Sequence, residues 1–103
     1  MKIIKQLTEM IAEEIEDAGK YAKCALAHKD DNRDLADTFY QLSMDEMRHM
    51  SLLHNHVVKI IEEHRTKVGE PPASMMAVYE YIHGKNIEAA AEVKAMQALY
   101  KEA

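Results

Sequence analysis

Helix breakers are nearly missing from this chain. Gly19, Gly69, Pro71, Pro72 and Gly84 are the whole set, and residues 35 to 68 contain none of them. Strands and tight turns need such residues, so their scarcity points to long helices. Residues 2 to about 29 carry Ile4, Leu7, Ile11, Ala18, Tyr21 and Ala25 at spacings of three and four, the repeat of one helix face. KDDNRD at 29–34 supplies a turn and an N-cap, and a second helix is expected from about Asp34 to Lys67 with Leu35, Phe39, Leu42, Met50, Leu53, Val57 and Ile60 as its stripe. VGEPPAS at 68–74 ends it. Two short helices, near 74–83 and 86–101, are expected to follow with Gly84 between them. No segment alternates with period two. The fold class is therefore all-α, in one domain over 1–103: a helical hairpin at 1–67 and C-terminal helices at 73–103 for packing or oligomerisation.

A chain of 103 residues buries a small core and often completes it by association. Its net charge of -5, with no clustered Lys or Arg, argues against a nucleic-acid surface. Cys24 is the lone cysteine, so no intrachain disulfide forms, and a reducing cytoplasm suits the chain. Charged residues interrupt MKIIKQLTEMIAEE too early for a signal peptide, and no apolar run reaches membrane-spanning length, so no membrane partner is expected. The eight Met residues are read as core filler.

Two carboxylates and an imidazole fall on the apolar stripes at one level. At about 100° per residue, Glu14 lies near the middle of the first stripe, while Glu46 and His49 sit between Leu42 and Leu53 on the second. An unpaired buried carboxylate is costly unless a proton, a partner or a metal neutralises it. With a turn centred near Asp31, Glu14 and Glu46 stand at the same height to within about 3 Å. Two carboxylates and an imidazole are too few to fill the coordination of an ion such as iron. A second copy completes the set: four-helix carboxylate sites use one Glu from each of two helices and a Glu-x-x-His pair from each of the others.

The segments EEIEDAGKY and DEMRH resemble the ferritin-like superfamily, and the short chain resembles its half-length branch, the encapsulated ferritins. The likeness covers about residues 7 to 60, with Glu14 seven before Tyr21 and Glu46-x-x-His49. It implies a homodimer, or a higher even oligomer, completing a four-helix bundle around two iron ions and oxidising Fe(II) with dioxygen or peroxide. On that pattern Glu46 bridges, Glu14 and His49 are terminal ligands, and the Tyr21 phenol hydrogen-bonds a ligand carboxylate. Glu13 and Glu16 match acidic positions through which metal enters. Lys20 stands where the family usually has Trp, and QALYKEA carries no evident cargo peptide, which counts against enclosure in a nanocompartment.

Other readings stay open. The Glu and His residues fit a helical assembly or adaptor protein without metal, and the same centre fits a rubrerythrin-like enzyme that reduces peroxide. In a second E-x-x-H, Glu80 projects off its helix's apolar face and His83 stands at the edge just before Gly84, and the pair is read as structural. No carboxylate partner at ligand height is assigned to His28, His54, His56 or His64, and Cys24 is not read as catalytic.

Overall fold

The long unbroken segments form three helices: α1 (Lys2–His28), α2 (Arg33–Lys67) and α3 (Ala73–Lys101). A computed structural model describes residues 2–102; Met1 and Ala103, the ends of the domain read from the sequence, lie outside the described residues. Asn32 caps α2 by accepting a hydrogen bond from the Leu35 amide at 3.2 Å, satisfying one of the donors a helix start leaves open. At the other end Gly69, with φ 116°, closes α2: its amide and that of Val68 both bond back to the His64 carbonyl. That left-handed backbone suits glycine. Pro72, at φ -53°, then leads into α3.

The two expected C-terminal helices are a single helix, and Gly84 does not end the first of them. Gly84 is helical, its φ is not positive, and a Cβ built on it would meet nothing within 4 Å. A glycine inside a helix costs only about 1 kcal/mol relative to Ala. Packing along a helix of 29 residues outweighs that.

The core also differs from the expected stripe on α2. α1 buries Ile4, Thr8, Ile11, Ile15, Ala18, Ala22 and Ala25, close to the expected face. α2 buries Ala36, Ser43, Met47, Val57 and Ile61, so only Val57 of the expected stripe is fully covered, while Leu35 and Leu42 are exposed. The reason is α3. It packs chiefly on α1 and meets α2 at Tyr40, Ser43 and His54, which turns the Ser43 side of α2 towards the core. Small residues at Ala18, Ala36 and Ser43 permit the close approach, each having no exposed surface.

Ser43 ties all three helices at one level. Its hydroxyl donates to the Ala18 carbonyl at 2.7 Å and accepts from the Gln97 side-chain amide at 2.9 Å. Below it, Gly19 admits Val93, to whose Cγ2 a Cβ on Gly19 would lie 3.5 Å away. The Tyr100 ring stacks on Tyr40 at 5.0 Å, its hydroxyl bonds the Asp37 carboxylate, and Lys29 donates to the Tyr100 carbonyl at 2.6 Å. These contacts put α3 on one side of the hairpin. At about 100° per residue, Glu14, Glu46 and His49 project from the other side.

Because Gly84 sits in open space within a continuous helix, Gly84→Ala is expected to stabilise the chain by about 0.5–1 kcal/mol. Thermal melting checks this. A lower melting temperature would restore a break at residue 84.

Candidate metal centre

Glu14 stands at the middle of α1, and Glu46 and His49 lie one turn apart on α2, so the antiparallel packing sets all three on one flank of the hairpin. The Ser43–Ala18 bond fixes the register. Glu46 follows Ser43 by nearly one turn and Glu14 precedes Ala18 by about one, and in antiparallel helices these are steps in the same direction. One ligand atom from each residue lies within 4.8 Å of the others. His49 Nδ1 is 3.4 Å from Glu14 Oε2 and 3.9 Å from Glu46 Oε2. The Glu14 and Glu46 side chains keep 26% and 20% of their exposure and that of His49 keeps 43%, so the site is a half-open recess rather than a closed cage.

Its electrostatics are those of crowded acids. Hydrogen bonding to the Glu14 carboxyl, burial and the charge of Glu14 push Glu46 up to about 7 from 4.5. The Asp17 charge adds to this, and His49 opposes it. Glu14 Oε2 is buried with no hydrogen-bond partner, although the nearest imidazole nitrogen is 3.4 Å away. Buried polar atoms are nearly always paired. Glu46 and His49, its neighbours, each offer a further metal-ligating atom.

The donor set fits a first-row dication: carboxylate oxygens suit Fe(II) and Mn(II), and imidazole suits iron and zinc. Three donors leave coordination positions open. Around them the flank is apolar. Leu7, Leu53 and Ile60 are half-buried, and Leu42 and Met10 are 36% and 39% exposed.

The remaining residues named from the sequence sit apart. Tyr21 stacks on Phe39, with centroids 6.3 Å apart, and among the described residues its phenol makes no hydrogen bond to Glu14 or Glu46. Glu13 and Glu16 are exposed, and Glu16 pairs with Lys20 at 3.6 Å. Asp17 is the nearby acid whose charge reaches Glu46, and its spacing of three from Glu14 was the available signal. His28 does have a carboxylate partner, Asp31 Oδ1 at 3.1 Å, because the turn brings them together. His83 stacks on His54 and Tyr79; this contact depends on α3 crossing α2, which no local pattern announces. Among the described residues, no helix is long and apolar enough to cross a membrane.

In comparisons with known proteins, no family model, no curated protein and no solved structure matches the chain.

The shifted Glu46 carboxyl sets a sign for apo stability. Between pH 4.5 and about 7 the folded chain keeps a proton that the unfolded chain gives up, so Glu46's contribution is full at low pH and is lost as pH rises through 7. Glu46→Gln mimics the protonated form. It is expected to raise the apo melting temperature at pH 8 and leave it nearly unchanged at pH 5; a loss at both pH values would mark the carboxylate as a structural partner of His49.

Proposed function

We propose that the chain is a ferritin-like half-bundle that binds iron between two copies and oxidises Fe(II). The observation that carries this reading is the unpaired, buried Glu14 Oε2 within reach of Glu46 and His49, at the centre of a half-exposed apolar flank. Further support comes from the place of α3. It packs on the other side of the hairpin and leaves this flank free to meet its own copy about a two-fold axis. The resemblance of EEIEDAGKY and DEMRH to ferritin-like ligand segments supplies the choice of metal and reaction.

On this reading Glu14, Glu46 and His49 of both copies hold two iron ions per dimer. Iron bound there supplies one-electron chemistry, Fe(II) giving an electron to dioxygen or peroxide as Fe(III) forms. The protein's own work is preparation. Glu46 must shed its proton to ligate, so binding releases a proton near neutral pH. His49 must present a neutral ring, and the two carboxylates lower the charge of whatever cation they hold. Asp17, beside Glu46, adds negative potential at the rim. Leu7, Leu53 and Ile60 would exclude water once a second copy covers them.

Anaerobic melting with Fe(II) tests the site by linkage. Wild type is expected to melt several degrees higher with metal at pH 8, with a much smaller rise at pH 5.5, where Glu46 is protonated. Glu46→Ala removes both that rise and Fe(II) oxidation in air while leaving the apo protein as stable as before. Light scattering is expected to find an even oligomer, with about one iron per chain. A wild type indifferent to metal, with an apo loss of roughly 1–3 kcal/mol in Glu46→Ala, would favour the metal-free helical assembly protein instead.

A further inference from the structure

A second group of metal-ligating side chains lies on the opposite side of the hairpin, where α2 meets α3. His54 and His83 stand with ring centroids 5.1 Å apart and planes inclined by 14°, and Tyr79 continues the row at 5.4 Å from His83. Both imidazoles are half-buried. They line a recess of about 430 Å³ between the three helices, floored by Ile11, Ile15 and Ala90 and edged by Ser51, Asn55 and Asn86. Its described walls include no carboxylate, and Lys94 is one of them.

We propose that His54 and His83 form a metal site selective for late first-row ions such as Zn(II), Ni(II) and Cu(II), and that an ion bound there clamps α3 to α2. Two imidazoles sharing one zinc hold Zn–N distances of about 2.0–2.1 Å, which places their ligating nitrogens roughly 3 Å apart. Rings centred 5.1 Å apart can turn to that spacing about their own side-chain bonds, leaving both helices in place. Burial and the neighbouring His83 lower the His54 pKa.

The surroundings decide which ions. Mg(II) and Mn(II) depend on carboxylates, which this recess lacks, Fe(II) stands early in the divalent affinity series, and Lys94 further disfavours binding by charge alone. Affinity must come from the nitrogen–metal bond, which strengthens towards Cu(II) across the divalent series. Ser51, Asn55, Asn86 and water can fill the remaining positions with oxygen. The hairpin thus carries an oxygen-rich triad on one face and a nitrogen pair on the other. The second site does not depend on the first being an iron centre.

The test uses Glu46→Ala, which takes a ligand from the triad, titrated with Zn(II) and with Fe(II) under anaerobic conditions at pH 7.5. The expected result is one Zn(II) per chain, a rise in melting temperature, slower amide exchange across residues 73–90, and a distinctly smaller response to Fe(II). Adding His83→Phe keeps a flat ring between Tyr79 and His54 but removes the ligand. Binding should then fall at least tenfold, with the metal-free melting temperature close to that of Glu46→Ala. Retention of Zn(II) binding in the double variant, no Zn(II) binding in Glu46→Ala, or equal stabilisation by Fe(II) would each overturn the proposal. None of these results depends on whether wild type oxidises iron.

Discussion

The hydroxyl of Ser43 is the point on which the rest of the molecule hangs. It donates to a backbone carbonyl of α1 and accepts an amide proton from α3, so one small side chain sets the relative height of three helices. Apolar packing alone does this poorly, because an antiparallel pair can slide by a turn and still bury similar area. A buried hydroxyl has no such freedom: a slide leaves Ser43, Gln97 or both unpaired where no water reaches. The register that brings Glu14 level with Glu46 and His49 is therefore enforced by a bond about one turn away from them. Its small size also matters. A larger residue at 43 would hold α2 off α1 and part the carboxylates.

The triad shows the opposite economy. Core polar groups such as Thr8, Ser43 and Gln97 are buried with a hydrogen bond each, whereas Glu14 keeps an oxygen buried and unmatched and Glu46 is driven towards its protonated form. A chain able to satisfy Gln97 in its core has the means to satisfy a carboxylate. Crowded, unmatched acids on a half-open face are a stability loss that binding can recover. The surrounding Leu7, Leu53 and Ile60 give the same face an apolar reason to be covered.

The all-helical class and the first two helices were legible because breakers and periodicity are properties of neighbouring residues. Asn32, Gly69 and the two prolines mark the ends of α2 and the start of α3 by local chemistry alone. Glu14, Glu46 and His49 came together as expected because equal heights on an antiparallel pair follow from helical rise and one turn position. What failed was rotation about the helix axis. Ser43 and Ala36 look like surface residues until α3 lies on them, and Leu42 looks like core until it does not. Gly84 misled for a related reason: a glycine ends a helix only when the chain turns there, and tertiary packing decided that it does not. The His54–His83 contact joins residues far apart in the chain and had no local signal at all.

The placement of α3 across the hairpin from the triad divides the labour of the sequence. Stability is supplied largely on one side, through Ser43, Gln97, Val93 and Tyr100, while Glu14, Glu46 and His49 occupy the other with few shared contacts. Residues without common partners contribute nearly additively. Apart from Ser43, which also sets the register of α1 on α2, substitutions in the α3 seam such as those at Val93 or Tyr100 can therefore accumulate, drift or be engineered with little effect on the ligand set. The chain is modular by face rather than by segment.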